Sequence, residues 1–216
     1  MTPTSAMVFA AGFGTRMGHL TKTLPKPMLP LRGKPMIDHA IDHLRLAGIK
    51  TIVANTHYLP EPLEAHLAQK DVIVCREDTI LETGGGLRAA LPYLGSGPVV
   101  TMNPDALWLG QNPIANVLNA WRDDMTGLLL CTRSDTGSDF DIRDGKISRT
   151  GPFRYTGVQI LNTDRLKDIK QNAFSLNAYW DLLMQETPLN GYVYEGEWVD
   201  IGTAEGLAHA NKRFAP

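Results

Sequence analysis

The sequence is short of the features that mark scaffolded, membrane-bound or nucleic-acid-coating proteins. Its two cysteines, Cys75 and Cys131, are too few and too far apart for a disulfide framework or a four-cysteine zinc site. No apolar run approaches the ~18 residues of a membrane-spanning helix. The opening MTPTS lacks the cationic start of a secretory signal, so the expected location is the cytoplasm, with no membrane partner. There is no internal repeat, low-complexity tract or linker that would split the chain. Neither sign of charge dominates: 21 Lys and Arg against 23 Asp and Glu leave −2, which argues against nucleic acid as a partner. With 43% hydrophobic and 20% charged residues over 216 positions, disorder is excluded and one globular domain is expected.

The near-neutral total conceals an asymmetry. Residues 1–37 hold Arg16, Lys22, Lys26, Arg32 and Lys34 and no acid, so this segment carries +5 and the rest −7. A short cationic stretch in a neutral chain suits a small anionic ligand better than a polymer.

Apolar runs alternate with helical periods. Ala6–Ala10, Lys50–Asn55, Val72–Cys75, Pro98–Asn103 and Gly127–Thr132 read as strands. Between them, helices are expected from Ile37 to Gly48, Glu61–Leu67, Gly86–Leu94 and Pro113–Arg122. This βα alternation predicts an α/β fold with a mixed, mostly parallel sheet and helices on both faces. The second half changes style. Asp144-Gly145 between alternating residues signals a hairpin, followed by strands at Arg154–Leu161, Tyr192–Tyr194 and Trp198–Ile201. Helices are expected at Ala178–Gln185 and Ala204–Arg213.

The first strand runs into AAGFGTRMG, residues 10–18. Glycines there let backbone N–H groups approach an anion. The dinucleotide fingerprint G-x-G-x-x-G is not met, because Met17 stands at its third glycine and no acid ends the second strand, which finishes Asn55-Thr56-His57. The P-loop is not met either, since Gly33-Lys34 and Gly145-Lys146 are followed by Pro and Ile. Arg16 lies in the turn, and Lys26 is held between Pro25 and Pro27, which restrict the backbone on both sides. A forked guanidinium and a point-charge ammonium beside a glycine turn suit a triphosphate. Asp105 follows the strand PVVTM and Asp200 ends WVD, both at strand ends where open α/β sheets bind ligands. Two such carboxylates beside bound phosphates are what Mg²⁺ needs, although each could equally cap the element that follows it.

Together, Ala10-Ala11-Gly12-Phe13-Gly14-Thr15-Arg16 and Leu24-Pro25-Lys26-Pro27-Met28-Leu29-Pro30 resemble the signature of the sugar-1-phosphate nucleotidyltransferases. Glu82-Thr83-Gly84-Gly85-Gly86, Asn103-Pro104-Asp105 and Trp198-Val199-Asp200-Ile201-Gly202-Thr203 follow in that family's order, so the resemblance spans nearly the whole chain. The Leu81–Gly86 run and the length look most like the short N-acetylmuramate-1-phosphate uridylyltransferases of peptidoglycan recycling. The resemblance implies a Rossmann-like core, with a nucleotide-binding half over about residues 1–135 and a sugar-binding half over about 136–216. It implies the reaction NTP + sugar 1-phosphate → NDP-sugar + pyrophosphate, with Mg²⁺ as cofactor and UTP and N-acetylmuramate 1-phosphate as the favoured substrates. Guanylyl or thymidylyl transfer to a hexose 1-phosphate, cytidylyl transfer to phosphocholine, or a silent nucleotide-sensing homologue are the alternatives. The oligomeric state stays open between monomer and small homo-oligomer.

Carried over residue by residue, the resemblance makes Arg16 and Lys26 the catalytic cations and Asp105 and Asp200 the metal ligands. The Ala11-Gly12 backbone, Gly14, Thr15, the loop Glu82, Thr83, Gly84, and Asn103 would line the nucleotide. Three departures stand out: Pro104 where the family usually has glycine before the metal Asp, Tyr155-Thr156-Gly157 in place of a sugar-facing Asn-Thr-Gly, and SRTGPF (148–153) where several relatives carry Glu-Lys-Pro. Asp139, Tyr155 and Gly157 are therefore the sugar-side candidates. His39 and His43, four apart, lack a following Glu and a third ligand and read as an ordinary helix face. Cys75 and Cys131 read as core thiols and Trp180 and Trp198 as packing residues.

Overall fold

The computed structural model describes residues 1–135 and 139–214. The elements run β1 (Ser5–Val8), the hairpin β2 (Pro30–Leu31) and β3 (Lys34–Pro35), α1 (Met36–Leu46), β4 (Thr51–Thr56), α2 (Pro60–Ala68), β5 (Ile73–Arg76), α3 (Glu82–Leu94) and β6 (Val99–Met102). Then follow β7 (Ala106–Leu109), α4 (Pro113–Ala120), β8 (Gly127–Arg133), β9 (Phe140–Arg143), β10 (Lys146–Arg149), β11 (Phe153–Leu161), α5 (Leu176–Met184), β12 (Asn190–Val193), β13 (Glu197–Asp200) and α6 (Ala204–Arg213). Short 3-10 turns lie at Thr15–Thr21, Lys26–Met28 and Leu166–Asp168.

One sheet of nine strands has the order β5-β4-β1-β6-β11-β8-β12-β10-β9. β5, β4, β1 and β6 run parallel, while β11 is antiparallel to both β6 and β8. Side chains alternate between the two faces, as the pleat requires. Ala6, Val8, Ile52 and Ala54 join Ile37 and Ile41 of α1, Leu63 of α2 and Val117 of α4 in one apolar cluster. Met7, Val53 and Leu129 join Leu87 of α3 and Tyr179 and Leu183 of α5 in another. Burial on both faces is why these strands read as nearly unbroken apolar runs. The α/β expectation holds, with antiparallel pairing concentrated in the second half.

A third cluster sits to one side. Met17, Leu31, Met36, Leu107, Ile201 and Leu207 pack together and anchor the first glycine-rich turn, the β2–β3 hairpin, the ladder of β7 on β13, and α6. The turn that follows the first strand and the C-terminal helix thus meet at one place, although about 190 residues separate them in the chain.

Two sequence expectations need correction. The stretch Ala106–Leu109 was not anticipated as a strand; it pairs with β13 in a separate two-stranded ladder. Helix α3 begins at Glu82 and not at Gly86, so the segment expected as a Glu82–Gly85 loop is the first turn of a helix. Three successive glycines are poor helix formers, but here their lack of side chains is what the packing demands. A Cβ on Gly84 would lie 2.4 Å from the Phe174 ring, and one on Gly85 would lie 2.4 Å from the Asn172 carbonyl oxygen.

Candidate active site

The first glycine turn and the Lys26 segment are pressed together. Gly14 has φ +64°, and a Cβ there would come 3.0 Å from Lys26 Cβ, so glycine allows both the backbone geometry and the close approach. The Gly14 carbonyl accepts Met17 N–H at 2.9 Å and the Thr21 hydroxyl at 3.2 Å, which closes the turn that carries Thr15 and Arg16. Pro25 and Pro27 frame a 3-10 turn closed by Met28 N–H to Pro25 O at 2.9 Å and Leu29 N–H to Lys26 O at 3.1 Å. This fixes the direction of Lys26. Its Nζ donates to Asp105 Oδ2 at 2.5 Å, with both side chains largely buried.

Asp105 leaves β6 after Asn103 and Pro104, and its carbonyl accepts Ile201 N–H at 2.9 Å. That bond extends the β7–β13 ladder, in which Asp200 lies opposite Ala106, and so brings the two carboxylates to neighbouring rungs. Asp200 Oδ1 accepts Gly202 N–H at 2.8 Å. A Cβ on Gly202 would sit 2.9 Å from both Asp200 Oδ1 and Arg16 Nη1, so only a bare Cα lets this acid and this cation flank it. The structure therefore gathers Arg16, Lys26, Asp105 and Asp200 from four separate segments.

A cleft of about 400 Å³ opens above them at the carboxyl ends of β1, β4 and β6. Ala11, Gly12, Gly14, Thr15, Arg16 and Lys26 form one part of its wall, and Glu82, Thr83, Asn103 and Asp105 another. Asp200 is exposed beside the cleft and meets it through Gly202. Gly84 is not on the wall but buried beneath Phe174, because the backbone of α3 must approach that ring closely.

The structure adds two residues that the sequence did not single out. Asn55, at the end of β4, accepts Ala10 N–H through Oδ1 at 2.7 Å and donates through Nδ2 to Glu77 Oε1 at 2.7 Å. Glu77 is buried and also accepts Leu81 N–H at 2.9 Å through Oε2. Both residues line the cleft. This network ties the first glycine turn to the entry of α3, and Gly86 is glycine because a Cβ would fall 2.7 Å from Glu77 Oε1. A polar residue ending the apolar strand KTIVAN was the available signal for Asn55. Glu77, in the loop after an exposed edge strand, gave none.

The sugar-side candidates do not converge. Asp139 is exposed and accepts Tyr155 N–H through Oδ2 at 2.9 Å. The Tyr155 hydroxyl points away from the cleft into the core beside Thr101, and burial raises its pKa above the ordinary phenol range. Its ring packs edge-on against Trp180 at 5.0 Å. Tyr155 is therefore corrected from a sugar-facing residue to a core residue: strand alternation turns it toward α5. Gly157, with φ +89°, lies against Asn103 where β11 bulges; its carbonyl accepts Asn103 N–H at 2.9 Å, so it shapes the cleft through its neighbour. Of the SRTGPF segment, Ser148 and Arg149 belong to β10, and Gly151 packs on the Asp141 backbone.

The remaining expectations keep their plain readings. His39 Nε2 donates to the Leu31 carbonyl at 2.8 Å, and burial lowers the pKa of both His39 and His43. No group of three or more His, Cys, Asp or Glu suited to a metal occurs among the described residues, so the two histidines lack further ligands there. Cys131 is buried, its thiol pushed up to about 12, and Cys75 is buried too. Trp180 donates to Gln159 Oε1 at 2.8 Å and Trp198 to the Thr156 carbonyl at 3.1 Å, both as packing residues. No helix is long and apolar enough to cross a membrane among the described residues.

Comparison with known proteins agrees with this architecture. Residues 6–142 match the family model of the MobA-like NTP transferase domain. The chain is 35% identical to N-acetylmuramate alpha-1-phosphate uridylyltransferase of Caulobacter vibrioides, over 99% of this chain and 98% of that protein. It is 28% identical to mannose-1-phosphate guanyltransferase of Hypocrea jecorina, over 91% of this chain but only 60% of that longer protein. The fold superposes on UDP-glucose pyrophosphorylase complexed with UDP-glucose with a TM-score of 0.83 at 18% identity, covering 99% of this chain and 98% of that one.

Proposed function

The chain belongs to the MobA-like NTP transferase family and to the sugar-1-phosphate nucleotidyltransferases within it, and we propose on that premise that it transfers a uridylyl group from UTP to N-acetylmuramate 1-phosphate. The products are UDP-N-acetylmuramate and pyrophosphate, which suits a role in recycling cell-wall sugar. Support for the substrate pair comes from the uridylyltransferase of Caulobacter vibrioides, which aligns end to end with this chain, and from a second of the same name in Neisseria meningitidis at 28% identity over 95% of this chain. The observation that carries the chemistry is the meeting of Arg16, Lys26, Asp105 and Asp200 at one rim of the cleft.

In the proposed reaction an oxygen of the sugar phosphate attacks the α-phosphorus in line, the bond to the bridging oxygen breaks, and pyrophosphate leaves with the electron pair. The protein contributes position and charge. Arg16 sits in the glycine turn, where it neutralises the leaving pyrophosphate. Lys26, aimed by its two prolines, holds the α-phosphoryl and the incoming phosphate. Thr15 and the Gly12 and Gly14 backbone line the path of the phosphates, and Asn103 lines the nucleotide.

Asp105 and Asp200 fit a magnesium ion. Each has one oxygen engaged in a hydrogen bond, to Lys26 and to Gly202 N–H, and each has a second oxygen for which no protein partner is present among the described residues. Two hard carboxylate oxygens next to phosphate oxygens and water match the Mg²⁺ donor set. The ion would supply charge neutralisation at the transferring phosphoryl group. Incubating the protein with UTP, GTP, dTTP and CTP against N-acetylmuramate, mannose and glucose 1-phosphates and phosphocholine, with pyrophosphate release as the readout, tests the proposal. Fastest release from UTP with N-acetylmuramate 1-phosphate is expected. Preference for GTP with mannose 1-phosphate would replace this substrate pair, and nucleotide binding without release from any pair would make the chain a sensor.

A further inference from the structure

The two ends of the cleft differ in polarity, and the difference orients the nucleotide. The N-terminus of α3 lies on the cleft wall, and such an end ordinarily attracts phosphate. At α3 the amides are already used: Gly84 N–H and Gly85 N–H donate to the Phe174 carbonyl at 2.8 and 3.1 Å. Two carboxylates, Glu77 and Glu82, border the same end. Phosphates are excluded there and go to Arg16 and Lys26, which leaves the α3 end to the nucleoside.

The two glutamates are not equivalent. Glu77 is buried on the floor, with an oxygen bonded to Asn55 and the other to Leu81 N–H. Glu82 stands exposed at the rim, and its carboxylate has no hydrogen bond or ion pair among the described residues. It is also strained. Its φ of +59° lies in the left-handed region, and of the non-glycine residues at positive φ it is the one on the cleft wall. Glycine would adopt that backbone without steric cost, and strain of this kind survives where a side chain has work to do. An ionised carboxylate only accepts hydrogen bonds; a nucleotide's donors are its base N–H groups and its ribose hydroxyls, and of these only the hydroxyls are shared by every ribonucleotide.

We propose that Glu82 selects a ribonucleotide over a 2′-deoxyribonucleotide by accepting a hydrogen bond from the ribose 2′-hydroxyl. This rests on the nucleotide-binding reading of the cleft, but not on which base is used. The test is calorimetric titration of the whole chain with UTP and dUTP, and in parallel with GTP and dGTP, in the presence of Mg²⁺ and without sugar phosphate. Melting temperatures of the same samples are recorded. The ribonucleotide should bind the native chain about tenfold or more tightly than its 2′-deoxy partner, as a hydrogen bond to a charged group gives. Glu82→Gly should reduce that ratio to about twofold or less while raising the melting temperature, because strain is released with the carboxylate. Glu82→Gln, which keeps a neutral acceptor oxygen, should give an intermediate ratio. A full ratio retained in Glu82→Gly, or no 2′-hydroxyl preference in the native chain, overturns the proposal. A preference for GTP over UTP with the Glu82 effect intact would sustain it and overturn the uridylyl reading alone. Failure of every ribonucleotide to bind would overturn both.

Discussion

The cationic rim and the carboxylate-lined end of one cleft are built on opposite plans. At the rim, Lys26, Asp105, Arg16 and Asp200 come from four segments that the third apolar cluster and the β7–β13 ladder hold together, with Lys26 paired to Asp105. At the other end, Asn55 and Glu77 form a buried hydrogen-bonded brace between the first glycine turn and α3. The first arrangement borders the open cleft. The second is already saturated and serves as a fixed wall. Substitutions at the rim should therefore cost turnover with little loss of stability, and substitutions at the brace should do the reverse.

The largest effect should come from the rim. Asp105→Asn and Lys26→Ala should each lower turnover about 10²–10³-fold, the usual loss when a preorganised charge on a reacting group is removed. Far-ultraviolet dichroism and the melting curve should stay close to those of the native chain. Near-native turnover in both variants would break the assignment of the rim to chemistry.

The brace should respond in stability. Glu77→Ala strands Asn55 Nδ2 and Leu81 N–H, at about 2–3 kcal/mol for one buried and one partly buried donor left unpaired. A melting temperature lower by roughly 4–10 °C should report it. Gly86→Ala pushes a Cβ to within 2.7 Å of Glu77 Oε1 and 2.8 Å of Asn55 Nδ2, which should cost about 1–3 kcal/mol by overpacking. If chemical denaturation shows either variant as stable as the native chain, the brace is not the rigid element described here.

Smaller changes sharpen the boundary between cleft and core. Tyr155→Phe should cost about 1 kcal/mol, because the buried hydroxyl loses its bond to Thr101. The KM for the sugar phosphate should not move; a several-fold rise would return Tyr155 to the sugar site. The smallest effect concerns pH. His39 and His43 have pKa values lowered by burial from 6.5, so the unfolded chain takes up protons that the folded chain does not. Their contribution to stability is full above about pH 6.5 and is lost as pH falls through their lower folded values. Replacing both with Gln should flatten the stability profile across that window, measured by urea midpoints from pH 7.5 to 5.

Legibility followed how local each interaction is. The parallel strands were readable because burial on both faces leaves unbroken apolar runs, and α6 was readable because its polar and apolar residues alternate at helical spacing. Strand β7 was not: ALWL follows Asp105 with no turn signal, and it becomes a strand only by pairing with β13, about 90 residues later. The first turn of α3 was misread because glycine propensity argues against helix, whereas the Phe174 carbonyl bonds to its amides and the Phe174 ring leaves no room for side chains. At the site, Arg16, Lys26, Asp105 and Asp200 stood in recognisable motifs. Glu77 did not, and Tyr155 was placed in the wrong environment because strand alternation turns its ring toward Trp180 of α5.

By itself, the sequence determined the α/β class, the glycine turn, the proline-framed lysine and the identity of the charged residues, since each depends on neighbours in the chain. Only the tertiary structure decided that the +5 segment meets two acids carried more than 60 residues downstream, that Asn55 and Glu77 close the opposite wall, and that Tyr155 belongs to the core. The reason is physical. Backbone preference and periodicity act over a few residues, whereas packing of the third apolar cluster and pairing of β7 with β13 join segments that no local preference connects.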